Sequence, residues 1–241
     1  MTIEKIIQVS NLEIHVTLRS GQKNSYIRVT PPNGDIIASV PAGTSDSVIK
    51  NFVLRKITEI TKARERLRQQ FRQSKREYVS GESVYYWGVQ YMLQVVYCKG
   101  RHSKIERLPN KIIMTVPAGT PLERRRKLLT EWYRLELKNM LQILVRQCEK
   151  KLSVKINDCR VRNMKTRWGS CNVSKKSILI NLQLVKKPLE CLEYVLTHEF
   201  IHLLEKNHTN RFRILLGKYC PAWREAKQLL IDMPLDSWEE K

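Results

Sequence analysis

The segment His198-Glu199-Phe200-Ile201-His202, with His208 ten positions after the first histidine, gathers three of the chain's five histidines. On an α-helix, residues four apart share a face about one turn from each other, so His198 and His202 could grip one cation. Glu199 would lie beside that ion, where it could take a proton from a water the ion activates. His208 is too far along to share the face unless the helix ends and the chain turns back. Zinc held by three protein ligands with one position open is the arrangement of a catalytic site. The surroundings fit. From Leu189 to Leu204 the sequence is apolar on most sides and reads as a buried helix. Two imidazoles and a carboxylate left unpaired there would cost on the order of several kcal/mol. A bound cation removes that conflict; the alternative is a pair of hydrogen-bonded core histidines with Glu199 at a solvent edge.

The elements that must position these residues are legible in outline. The stretch Lys187-Pro188 opens the histidine helix. Before it, Ser177 to Leu184 alternates apolar and polar residues and reads as a strand, as does Ile156 to Met164. Arg167-Trp168-Gly169-Ser170-Cys171 lies between the two, and helical patterns follow around Asn210 to Lys218 and Ala222 to Ile231. An edge strand here could pair with an extended substrate while the helix beneath holds zinc.

Further upstream, Val40-Pro41-Ala42-Gly43-Thr44 returns as Val116-Pro117-Ala118-Gly119-Thr120. Each copy follows a strand, Ile36 to Val40 or Ile112 to Val116, and precedes a long helical pattern. Tyr26 to Thr30, with a turn at Pro31 to Asp35, completes a hairpin before the first copy. Tyr91 to Tyr97 and a basic loop, Cys98 to Asn110, precede the second. A hairpin, a VPAGT corner and a helix therefore occur twice, as a duplicated unit too short for a solenoid. The first helix is expected from about Asp46 to Gln73, with a basic face of Arg55, Lys56, Lys62, Arg64, Arg66, Arg68 and Arg72 that reads as solvated, or as a phosphate-binding stripe. The second should run to about Leu152, capped by Thr120, with Pro121 first and Glu123 closing a capping box. The fold class expected is α+β: a zincin-like core of helix, small sheet and H-E-x-x-H helix, preceded by a β-rich N-terminal region. The division expected is 1–110 and 111–241.

Composition narrows the classes. The 241 residues can bury a substantial core, and 42% hydrophobic content is ordinary for a soluble protein. No run of 18 apolar residues is present, which argues against a membrane span. The start carries Glu4 and Glu13 and has no signal-peptide apolar core, so a cytoplasmic location is expected. Six cysteines are scattered with no C-x-x-C pair, which fits reduced thiols. The net charge of +21 is spread along the chain, with 27 basic against 13 acidic residues in 1–150 and 17 against 10 in 151–241. Such a field would allow nonspecific nucleic-acid binding, although solubility alone accounts for it.

Taken together, Met164-Lys165-Thr166-Arg167-Trp168-Gly169-Ser170-Cys171, Ile180-Asn181-Leu182, the three histidines with Glu199, and Tyr219-Cys220-Pro221-Ala222-Trp223 resemble the YgjP-like metallopeptidases. The likeness extends more loosely to the SprT/Spartan-type zinc proteases. Tyr78-Val79-Ser80-Gly81-Glu82 and the VPAGT corners join the resemblance, which thus spans nearly the whole chain. It implies a cytoplasmic metal-dependent hydrolase with His198, His202 and His208 as zinc ligands and Glu199 as the catalytic residue. Metzincins share the histidine spacing but have glycine where Glu205 stands, so Asn207 is the residue expected to turn left-handed and end the helix. Arg167 and Tyr219 are candidates to stabilise an oxyanion, Trp168 and Gly169 to shape a wall, and Cys171 to approach the metal or simply pack. The expected function is a zinc metallopeptidase acting on peptide or protein substrates. A protease recruited to nucleic acid by its charge, and a non-catalytic basic module with structural zinc, are the alternatives.

Overall fold

The computed structural model describes residues 2–30, 34–69, 76–164 and 167–232. Arg72 and the Pro31–Asn33 turn lie outside the described residues, as do Lys165 and Thr166. Contacts divide the chain into two compact units, Met1–Lys75 and Arg76–Met233.

In the first unit, β1 (Thr2–Val9), β2 (Leu12–Arg19), β3 (Tyr26–Thr30) and β4 (Asp35–Pro41) form a sheet ordered β1-β2-β4-β3. The hairpins β1–β2 and β3–β4 are antiparallel, and β2 runs parallel to β4. Period-two alternation sends Leu12, Ile14, Val16 and Leu18 of β2 to the same face as Ile36, Ala38 and Val40 of β4. Ile49 and Val53, four apart on α1 (Asp46–Arg55), complete that core. The single helix expected over 46–73 is broken. The Lys56 N–H reaches back to the Val53 carbonyl at 3.0 Å, a tighter turn than the α-helix, and α2 (Ile57–Gln69) starts afresh.

In the second unit, β5 (Ser83–Tyr86), β6 (Val89–Cys98), β7 (Lys104–Arg107) and β8 (Lys111–Pro117) are ordered β5-β6-β8-β7, with the same senses as the first sheet. The segment expected as a plain loop between Cys98 and Asn110 thus contains β7. Three of its four residues are charged, and only Ile105 faces inward, so apolar alternation could not reveal it. Below these strands lie α3 (Leu122–Leu152), β9 (Asp158–Arg162), β10 (Gly169–Asn172), β11 (Ser177–Asn181) and a 3-10 turn, Leu182–Lys186. Then come α4 (Leu189–Ile201), α5 (Asn210–Tyr219) and α6 (Trp223–Asp232). The small sheet is ordered β10-β11-β9, leaving β10 at an edge. Val84, Leu93, Ile112 and Met114 share one continuous core with Leu137, Ile180 and Phe200. For that reason the boundary between units falls at 75/76, whereas the expected division at 110/111 lies inside the second unit, between β7 and β8.

Both VPAGT segments make the same corner. Gly43 and Gly119 take φ of +84° and +74°, which glycine adopts without penalty. In each, the threonine donates both its N–H and its hydroxyl to the proline carbonyl: 3.3 and 2.8 Å from Thr44 to Pro41, 3.2 and 2.6 Å from Thr120 to Pro117. The Thr120 hydroxyl is therefore spent on the corner, and the expected capping box does not form. Pro121 occupies the N-cap, and Glu123 pairs instead with Arg126 at 2.5 Å. No helix among the described residues is long and apolar enough to cross a membrane.

Candidate metal centre

α4 forms because Pro188 pre-sets its entry and a nearly continuous apolar run follows, burying Cys191, Leu192, Val195, Leu196, Phe200 and Ile201. His198 lies in its last turn. His202 is the residue that ends it, with its N–H still bonded to the His198 carbonyl at 3.4 Å. The chain then reverses in tight turns: Leu204 and Glu205 both donate to the Ile201 carbonyl at 2.8 Å. Asn207 is not left-handed, contrary to expectation, because these short bonds turn the chain without any positive φ. Thr209 caps α5, its hydroxyl accepting from the Phe212 N–H at 3.3 Å, and this sets His208 immediately before the new helix.

The result is a cluster. One ring nitrogen from each of His198, His202 and His208 lies within 4.8 Å of the others, and Nε2 of His208 stands 3.0 Å from Nε2 of His198. The Nδ1 of His202 meets the Glu205 carbonyl at 3.3 Å, leaving its Nε2 available. Phe212, buried, packs its ring 4.7 to 4.8 Å from the centres of all three imidazoles and forms an apolar backstop. Burial, then the neighbouring histidines, push His198 down to about 4, and burial lowers His202 as well. Both shifts favour the neutral imidazole, the form that coordinates a cation. Three converging ring nitrogens fit a first-row divalent cation, and the buried Nδ1 of His198 has no partner among the described residues.

Glu199, the next residue along α4, is buried, 7% exposed, and lines the same cleft as His198. Burial raises its carboxyl to about 7, against an opposing pull from Arg167. Gly169 on β10 is what leaves it room. A Cβ there would lie 2.7 Å from Glu199 Oε1, 2.8 Å from its Cγ and 2.9 Å from Val195 Cγ1. A cleft of about 330 Å³ opens on His198 and Glu199, walled by Arg167, Trp168, Tyr194, Val195, Lys227 and Leu230.

The segment that supplies Arg167 and Trp168 is fixed by Asn181, whose side-chain amide donates to the carbonyls of Met164 (2.8 Å) and Arg167 (2.7 Å). Its oxygen accepts from the N–H groups of Met164 and Gln183. Buried Lys187 sets its ammonium 5.8 Å from the Trp168 ring centre.

Of the other residues singled out in the sequence, Arg167, Trp168 and Gly169 reach the cleft. Tyr219 does not line it, and its carbonyl accepts from Lys151. Cys171 is outside the histidine cluster, and burial lifts its thiol to about 11, which makes a thiolate ligand unfavourable. His15 and His102 are also outside the cluster. Phe212, Tyr194 and Lys227 were missed. Tyr194 stands four residues before His198 on the same helix, a spacing that could have indicated it; nothing local in the sequence points to Phe212 or Lys227.

A buried carboxylate beside three converging imidazoles, on an α+β scaffold with a substrate-sized cleft, is the constellation of a metallohydrolase. The chain belongs to the YgjP-like, metallopeptidase domain family, whose sequence pattern it matches over residues 23–232, and it is a metal-dependent peptidase. Among solved structures it is similar in part to the metallopeptidase zymogen of Pyrococcus abyssi abylysin. That similarity is 22% identity over 37% of this chain and 87% of the other, with a TM-score of 0.33. No curated protein matches the chain.

Proposed function

We propose that the peptidase uses zinc, held by His198, His202 and His208, with Glu199 as its general base. The observation that carries this reading is the convergence of three ring nitrogens within 4.8 Å, one of them from His198, which lines the cleft together with Glu199. When bound, the cation supplies Lewis acidity, lowering the pKa of water and polarising a substrate carbonyl. The residues of the chain do the rest. Glu199, held near neutrality by burial, accepts the proton of the attacking water at a carboxylate oxygen and returns it to the departing amine. Arg167 is the nearer of the two oxyanion candidates considered, since it lines the cleft. The free edge of β10 offers backbone groups to an extended peptide. The finer architecture proposed is zincin-like, with a duplicated hairpin, corner and helix unit, supported by the equal strand orders of the two larger sheets.

The test is elemental analysis alongside hydrolysis of unfolded proteins. Wild type should carry about one zinc per chain. Glu199→Gln should keep the metal and lose activity by roughly three orders of magnitude or more, a loss attributable to the missing proton transfer and charge. His198→Ala or His202→Ala should lose the metal itself. Full activity in Glu199→Gln, or metal retained by both histidine variants, would falsify the assignment.

A further inference from the structure

The cleft beside His198 and Glu199 has an unbalanced charge. Arg167 and Lys227 both line it, while Glu199 is its sole acidic group among the described residues. Neither cation is engaged in an ion pair or side-chain hydrogen bond among the described residues. The backbone of Arg167 is fixed, because the Asn181 amide holds its carbonyl at 2.7 Å. Each cation also acts electrostatically on one reactive group, Arg167 on Glu199 and Lys227 on His198. Apart from Tyr194, the remaining wall, Trp168, Gly169, Val195, Leu230 and Ile231, is apolar. Apolar walls exclude water and strengthen any ion pair formed against them. An anion entering this cleft therefore finds two cations, both solvent-exposed and without an ion pair, on the same wall as the buried Glu199.

We propose that the cleft selects peptides carrying a carboxylate close to the bond to be broken, anchored by Arg167 and Lys227. The carboxylate could be an acidic side chain or a free C-terminus; the two share the same chemistry and are separated by experiment. The proposal rests on the hydrolytic reading of the adjacent centre, and binding is tested apart from cleavage for that reason.

The probes are a neutral alanine–leucine pentapeptide, acetylated and amidated, the same peptide with glutamate at each position in turn, and the same peptide with a free C-terminal carboxyl. Binding to the full-length Glu199→Gln protein, with and without added zinc, is measured by calorimetry, and cleavage by wild type is followed in parallel. At least one carboxylate peptide should bind about tenfold or more tightly than the neutral amide, as expected for a charge-assisted contact. Whichever acid wins identifies the source. The preference should collapse towards unity when Lys227→Gln or Arg167→Gln is added, and Lys227→Glu should favour the neutral peptide. Equal binding of all probes, or none, overturns the proposal, as does a preference that survives both substitutions together. Discrimination without cleavage by wild type would remove the hydrolytic reading and leave the carboxylate site standing. Cleavage without discrimination would do the reverse.

Discussion

Gly169 and Lys187 show how closely the cleft is fitted at the level of single residues. Gly169→Ala must displace Glu199 or Val195, both on α4. Such overpacking should cost about 1–3 kcal/mol in denaturant unfolding and depress turnover, with metal content in elemental analysis largely retained. Lys187 is buried, and burial lowers its ammonium from 10.5 to about 8. Between these values the unfolded chain holds a proton that the native chain has released, so stability rises with pH across the window from about 8 to 10.5. Urea unfolding at pH 7.5 and pH 10 should show that rise in wild type, and Lys187→Met should show less of it. A pH response unchanged by the substitution would remove the assignment. The histidines and Glu199 were legible in the sequence because their spacing is local. The work of Asn181, Phe212 and Lys227 was not, since each acts on groups distant in sequence. Asn181 stood in a recognised motif, yet only its four hydrogen bonds reveal what it holds.

At the level of elements, the sequence located the main helices and six of the eleven strands, but not β1, β2, β5, β7 or β10, and it misplaced several ends. The alternation in Ile36 to Val40 and Ile112 to Val116 marked β4 and β8, because one face of each is buried. β7 has one inward residue and escaped that signal. The strand expected over Ser177 to Leu184 stops at Asn181, where the side chain accepts from the Gln183 N–H and starts a 3-10 turn. Similarly, Thr120 carries a capping residue's identity but spends its hydroxyl on a corner. Thr209 is the cap with consequences for the site, because it begins α5 directly after His208. Thr209→Ala should cost about 1 kcal/mol of stability. By loosening the approach of His208, it should also weaken zinc binding about tenfold in competition titration with a chromophoric chelator. A variant with unaltered affinity would show that the third histidine is positioned by something other than this cap.

For the whole molecule, the central observation is that each unit has its own apolar core, one built on Ile14, Ile36 and Ile49, the other on Leu93, Leu137 and Phe200. The histidine cluster, Glu199 and every cleft residue belong to the second. A fragment comprising residues 76–241 should therefore fold cooperatively and bind zinc, with a melting temperature lowered by chelator. Failure of that fragment to fold would show that the first unit is needed for the second. Two of the three proposed ligands sit four residues apart at one helix end, with the third recruited from beyond a reversal of the chain. Denatured chains can reproduce the first arrangement transiently but not the second, so they retain a weak bidentate grip on the ion. Zinc then protects the native state by less than its native dissociation constant alone would imply.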